Sequence, residues 1–264
     1  TPPTPIPEAP LVGAIRFDAW SPNNGTDTYV NWNRLQDDTS IRYRLPYHAD
    51  VSNPTHAVVD ENTQAVIDQD ILYASQAGID FWIINHYGSR SQYAYLLQKT
   101  SPYRSLIQYA FIEIASNITR EYQLLVEIAD AQYLRVLNGR PVVFFFMGTN
   151  AYSTFGSPAT AAALRARILS EIGTNPYFVG LNFSAAEAAA DASSFGFDAI
   201  SSYGGGLIPQ GGTVPYSTLT NLETQQWTEY RNTGFNYLPT VTTGWQEIDT
   251  STGYPAAGNP YTTI

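Results

Sequence analysis

The sequence predicts an α/β fold of the (β/α)8 TIM-barrel type, with the eighth β/α unit lacking within this chain. Three observations predict it. Seven strand-like segments alternate with helix-like ones across most of the 264 residues. Several of the strands are too apolar to turn one face to water, which suits parallel strands covered by helices. The helix-like segments carry capping residues where their ends belong.

The elements follow in order. Residues 12–20 (VGAIRFDAW) read as a first strand, and a polar loop then runs through Asn23-Asn24-Gly25 to about Pro54. From Asp60 to Ala77, Thr63, Ile67, Ile71 and Ala74 recur at helical spacing, and Gly78 stands where a helix ends. The second and third strands are expected at 79–87 (IDFWIINHY) and 107–115 (IQYAFIEIA), with a helix over about 119–131. A short extended piece after Tyr133 leads to an Asn138-Gly139 turn and a fourth strand at 142–147. Ser157-Pro158 opens a helix with Leu164, Ile168 and Ile172 on one face, and Gly173 closes it. Strand five is 177–182. Ser184-Ala185-Ala186-Glu187 is a capping box that opens a helix ended by Gly196, and strand six is 197–203. Thr220-Asn221-Leu222-Glu223 has the same pattern, Gly234 closes that helix, and strand seven is 237–245.

Residues 1–11 form a proline-rich extended leader and 12–264 a single, incomplete β/α barrel domain. The start at Thr1 rather than Met reads as a processed terminus, so an extracellular location is expected, secreted or at the cell surface. After Trp245 the chain offers only Thr-, Gly- and Pro-rich sequence, interrupted by Pro255 and Pro260, in which neither a buried strand nor a final helix fits. The expectation is therefore that the polypeptide continues past Ile264 or that another chain completes the barrel.

Composition excludes several functions. Acidic residues outnumber basic ones 23 to 13, for a formal net charge of −10, which repels nucleic-acid backbones. The longest apolar run, Val142 to Met147, is far below the roughly 20 residues of a membrane-spanning helix. Cysteine is absent, so thiol nucleophiles and thiolate metal sites are excluded, and His48, His56 and His86 show no paired metal-ligand spacing. No Gly-x-Ser-x-Gly elbow is present. No strand leads into a glycine-rich nucleotide loop, and Gly204-Gly205-Gly206 lacks the lysine of a phosphate loop. No cofactor is expected.

What remains are polar and aromatic groups at the strand ends, where a β/α barrel keeps its chemistry. On strand one the alternation assigns Ile15, Phe17 and Ala19 to the helix side and Arg16, Asp18 and Trp20 to the inner face. Arg16 and Asp18 read equally as a buried pair or as mouth groups. Strand two ends in His86-Tyr87. Glu113 stands between Ile112 and Ile114, where a carboxylate either pairs with arginine or has a raised pKa suited to proton transfer. Strand six ends in Tyr203, and strand seven in Trp245 with Glu247 close behind. Trp245 either packs under a loop or stacks on a sugar ring. Asp80 and Asp198 begin strands and read as structural, as does the capping Glu187. Carboxylates across a barrel mouth imply glycoside hydrolysis, with Glu113, Glu247 and Asp18 as catalytic candidates and Trp20, His86, Tyr87, Tyr203 and Trp245 lining the substrate.

Several of these segments resemble one family. Residues 76–87 (QAGIDFWIINHY), Ser101-Pro102-Tyr103-Arg104, Tyr133 to Phe144, 196–203 (GFDAISSY) and 239–245 (PTVTTGW) are similar to motifs of glycoside hydrolase family 99-like proteins, in the same order. The resemblance implies a (β/α)8 barrel acting on α-linked or otherwise complex polysaccharides without an organic cofactor. Two departures bear on activity. The family's acid after Gly-Trp is Gln246 here, with Glu247 one place on, and its acidic strand-eight segment has no counterpart before Ile264. A non-catalytic barrel that binds glycan, or serves as a structural subunit of an extracellular assembly, is the alternative.

Overall fold

The computed structural model describes residues 10–16, 36–37, 39–86, 92–113, 124–147, 156–203 and 215–241. Among them are β1 (Gly13–Arg16), β2 (Phe81–His86), β3 (Gln108–Glu113), β4 (Arg135–Val136), β5 (Arg140–Phe146), β6 (Tyr177–Asn182), β7 (Ala199–Ser202) and β8 (Tyr237–Leu238). Among the helices are α1 (Gln64–Gln76), α2 (Gln92–Thr100), α3 (Pro158–Ile172), α4 (Ala185–Phe195) and α5 (Tyr216–Asn232).

The strands lie in the order β1-β2-β3-β5-β6-β7-β8, every neighbour parallel, with β4 paired antiparallel to β5. Sequential order without reversal is the order of a barrel wall rather than of a doubly wound sheet. The wall is curled. Tyr203, one residue beyond β7, brings its Oη within 3.5 Å of Asn85 Oδ1 on β2. In a flat sheet those strands, four steps apart, would be separated by about 19 Å. Among the described residues β1 and β8 each pair on one side only, so the wall is an incomplete barrel.

Alternation on the strands separates two layers. Trp82, Tyr109, Phe145 and Phe178 face the helices, and Asn85, Ile112, Phe144 and Leu181 occupy the concave side, because in-register parallel neighbours share a face. Helix faces fill the outer layer: Ile67 and Ile71 of α1, Ala161, Leu164 and Ile168 of α3, Ala188 and Ala192 of α4 are buried. Gly180 has no room for a side chain, since a Cβ there would lie 2.5 Å from the Phe197 ring.

The caps form as their residue types dictate. The Thr63, Ser157 and Ser184 hydroxyls accept from the N–H groups of Val66, Thr160 and Glu187, and α3 and α4 end on left-handed Gly173 and Gly196. Two expectations are corrected. The Thr220–Glu223 pattern lies inside α5, which begins at Tyr216 after Pro215. There the Thr220 hydroxyl donates to the Ser217 carbonyl and Glu223 is buried. The other correction is the facing of β1. Arg16 points to the helix layer, with its guanidinium 3.0 Å from Asp70 of α1 and 4.4 Å from the centre of the Trp82 ring. A cation beside a helix carboxylate and an indole outweighs the simple apolar-out rule on a strand of a two-layered wall. Also unforeseen is α2.

One seam breaks the regularity. β3 and β5 pair only at their upper ends, Ile112 with Phe144 and Glu113 with Phe145. Below, the segment before β4 is wedged between them. The Tyr109 N–H donates to the Gln132 carbonyl, the Leu134 N–H to the Tyr109 carbonyl, and the Val142 N–H to the Leu134 carbonyl. The expected turn at Asn138-Gly139 reverses the chain into β5, with Leu137, Asn138 and Gly139 all at positive φ.

The amino-terminal ends of the strands are tied by charge. Asp198, just before β7, accepts from Arg140 (2.6 Å), Arg165 (2.9 Å) and the Phe178 N–H (2.9 Å). Burial alone would push its pKa up, but these donors outweigh it and hold the carboxyl below its ordinary value. Asp80, before β2, accepts from the Val12 N–H at 2.7 Å. Both act structurally, as their positions predicted.

Candidate active site at the carboxyl ends of the strands

At the other end of the concave face, side chains from β2, β5 and the segments after β6 and β7 converge. Phe146, Phe183 and Tyr203 form a three-ring cluster, with centroids 5.5 Å (Phe146–Phe183), 4.7 Å (Phe146–Tyr203) and 6.2 Å (Phe183–Tyr203) apart. Phe183 is 40% exposed, so the cluster presents an aromatic surface. Beside it, buried Asn85 turns its amide oxygen toward the Tyr203 hydroxyl. On the far side, the Ser201 hydroxyl donates to the Leu238 carbonyl (2.7 Å) and Thr240 Oγ1 to the Ser202 carbonyl (2.9 Å). The Trp227 indole N–H of α5 donates to the Thr240 carbonyl at 2.8 Å, fastening the chain that leaves β8 to α5.

The sequence candidates are distributed as follows. Tyr203 stands in this mouth, as expected. His86 closes β2 and is paired in register with Glu113, the last residue of β3. Glu113 is 7% exposed and shares the helix-facing side with Tyr109, Phe111 and Phe145, next to the seam. Asp18, Trp20, Tyr87, Trp245 and Glu247 lie outside the described residues. Asn85, Phe146 and Phe183 were missed. Asn85 was passed over beside the more reactive His86, Phe146 ends a run that reads as pure core, and Phe183 precedes a capping serine. The usable signal was position: Asn85 is the next-to-last residue of its strand, Phe146 the last of its own, and Phe183 stands one past the end of β6.

Chemically, aromatic faces next to an amide and hydroxyls suit a ligand with apolar ring faces and hydroxyl edges, which describes a pyranose. Among the described residues no group of three or more His, Asp or Glu could hold a metal ion. No helix among them is long and apolar enough to cross a membrane.

Outside the mouth, His48 lies edge-on to Tyr47 in the helix layer, near Asp60, Asp70 and Arg16. Burial lowers its pKa, and the two carboxylates only partly offset that. Tyr47 donates to Asp70 at 2.9 Å.

The sequence matches no protein-family profile and no curated protein. Two solved structures of a GH99 endo-alpha-mannosidase from Bacteroides thetaiotaomicron are similar in fold. The one in complex with bis-tris-propane has a TM-score of 0.52 and 20% identity, covering 88% of this chain and 69% of that one. The other has a TM-score of 0.46 and 19% identity, covering 73% of this chain and 62% of that one. This chain thus spans about two thirds of their length. The likeness establishes a β/α barrel architecture, the fold that the motif resemblance implies.

Proposed function

We propose that the chain is a glycan-acting barrel that hydrolyses glycosidic bonds of a polysaccharide or complex glycan with carboxylates at the carboxyl ends of its strands. One observation carries the reading: the Phe146–Phe183–Tyr203 surface and the Asn85 amide meet at the mouth of the concave face. The rings would stack on sugar faces while the amide and hydroxyls take sugar hydroxyls. One carboxylic acid would protonate the departing glycosidic oxygen, and a second carboxylate would attack the anomeric carbon or take a proton from the attacking water. Glu113, Asp18 and Glu247 are the groups for those roles, with Trp20, His86, Tyr87 and Trp245 lining the sugar alongside Tyr203. The fold neighbour's name extends the proposal to internal α-linked bonds, α-mannosides first. Such a substrate belongs outside the cell, where we place the protein.

A second reading, glycan binding without hydrolysis, is favoured by the helix-facing, buried position of Glu113. Incubating the protein with α-mannan and a panel of other polysaccharides, and following both binding and new reducing ends, separates the two. Hydrolysis predicts that Glu113→Gln lowers kcat by roughly 10²–10⁴-fold, the usual weight of a general acid or base, with binding retained. Binding without cleavage by the unaltered protein selects the second reading. Binding to no glycan removes both.

A further inference from the structure

We propose that Tyr47 and Tyr73 form a second glycan-binding notch, on the helix side of the wall and outside the mouth, which holds one neutral sugar ring of a longer chain. It rests on the glycan-acting reading above but not on hydrolysis.

The notch is built on α1. Asp70 and Tyr73 stand one turn apart on that helix, on neighbouring positions of one face. Tyr47 lies over the same turn, its ring centre 5.2 Å from that of Tyr73 and the two planes 79° apart. The Tyr47 hydroxyl donates to Asp70 Oδ1 at 2.9 Å, with the Val66 carbonyl at 3.3 Å. Asp70 is held in turn by Arg16 at 3.0 Å, whose guanidinium rests on the Trp82 ring. His48 packs edge-on against Tyr47 at 5.2 Å.

A surface tyrosine ordinarily lays its ring on the protein and turns its hydroxyl to water. Tyr47 does the reverse. It is 55% exposed, yet its hydroxyl is tied down to α1. Burial first, and the Asp70 bond after it, push that phenol above its ordinary value, so it stays a protonated donor. Tyr73 is 51% exposed. Two ring surfaces are therefore kept in water, one of them locked by the Trp82–Arg16–Asp70 chain. A locked ring loses little freedom when a ligand stacks on it, which is what a binding platform requires.

Size decides the occupant. The exposed halves of two tyrosines come to about 200 Å², whereas a stable protein interface covers about 800 Å² on each partner. The notch fits one ring rather than a protein. Each Asp70 oxygen has one donor already and keeps a further acceptor site, on a side chain 21% exposed. Apolar ring surfaces beside an open carboxylate suit a ligand with an apolar face and hydroxyl donors at its edge. That is a pyranose, and the formal net charge of −10 selects a neutral one over an acidic one. Because the mouth lies on the concave side, a long glycan that reaches both places gains by linking two weak contacts.

Native gels cast with α-mannan, starch or β-glucan measure the binding as retardation. Tyr73→Ala removes one wall of the notch and none of its hydrogen bonds, and is expected to weaken binding of the retarding polysaccharide about tenfold with the thermal midpoint unchanged. Retardation equal to that of the unaltered protein overturns the proposal; if Tyr203→Ala abolishes it in the same gels, the mouth reading stands alone. A concentration-dependent dimer that Tyr73→Ala disperses also overturns it, in favour of a second copy of the chain. Should Tyr73→Ala not fold, the unaltered protein with ¹³C-labelled tyrosine is titrated with oligosaccharides of the three polymers, the Tyr73 signal being assigned by its loss in Tyr73→Phe. Displacement of that signal supports the notch, and no displacement overturns it. Retardation by none of the three removes the notch and the glycan reading together.

Discussion

The two ends of the strands treat polar groups in opposite ways. At the amino-terminal end Asp198 is surrounded by donors, two guanidiniums and a backbone N–H, and Asp80 is bound to the backbone of β1's approach. At the carboxyl end the β7–β8 side is tied as tightly, by the Ser201, Thr240 and Trp227 bonds, while the aromatic side is looser. Asn85 and Tyr203 approach only to 3.5 Å, beside a phenylalanine with two fifths of its surface in solvent. Satisfied groups stabilise; groups with spare hydrogen-bonding capacity next to open aromatic faces are available to a ligand. The comparison teaches that function in this molecule is to be sought where the hydrogen bonding is slack.

The largest effect that tests this division is on stability. Asp198→Ala strands Arg140, Arg165 and the Phe178 N–H, and is expected to cost about 3 kcal/mol by urea denaturation, a loss typical of breaking a part-buried ionic cluster. The folded pKa of Asp198 is depressed, so its contribution is complete above the unfolded value near 3.8 and is lost as pH falls through the lower folded value. The acid limb of stability should therefore flatten in the variant. A loss below about 0.5 kcal/mol would show that the lower end is not a stability face.

Tyr203→Ala comes next, at the opposite end. It should weaken glycan binding about tenfold, roughly 1.4 kcal/mol, while leaving the urea midpoint nearly in place. Unfolding without a binding defect would reduce the mouth cluster to packing. The smallest effect concerns His48. Its folded pKa lies below 6.5, so the unfolded chain takes up the proton first. Its contribution is full above pH 6.5 and declines as pH drops from there toward the folded value, by less than about 1 kcal/mol for a part-exposed ring. His48→Gln should remove that slope, and a slope that persists in the variant assigns it to other groups.

Much of this architecture was legible because its signals are local. A serine that caps Thr160 or Glu187, or a glycine at positive φ, acts within a turn of its own position, so α3 and α4 were readable to the residue at both ends. The start of α5 was not, because Pro215 caps without a side-chain signal while a capping-box pattern recurs inside the helix. Arg16 was turned the wrong way because its partners, Asp70 and Trp82, are more than fifty residues on, and no local pattern announces them. The site shows the same divide. Tyr203 was found from its strand end, but that Asn85 faces it from 118 residues away follows only from the curl of the wall.

The seam between β3 and β5 has a consequence for how the molecule comes apart. β2 and β3 share six paired residues and β5 and β6 share five, but β3 and β5 share two. The wall therefore has two panels joined directly by a short zip and, below it, through the wedged segment before β4. Partial unfolding should part them there, and the amides of this zip should exchange with solvent before those of the flanking ladders. Glu113 is one of the zip's two teeth on β3, so any early opening of the panels reaches the proposed site first.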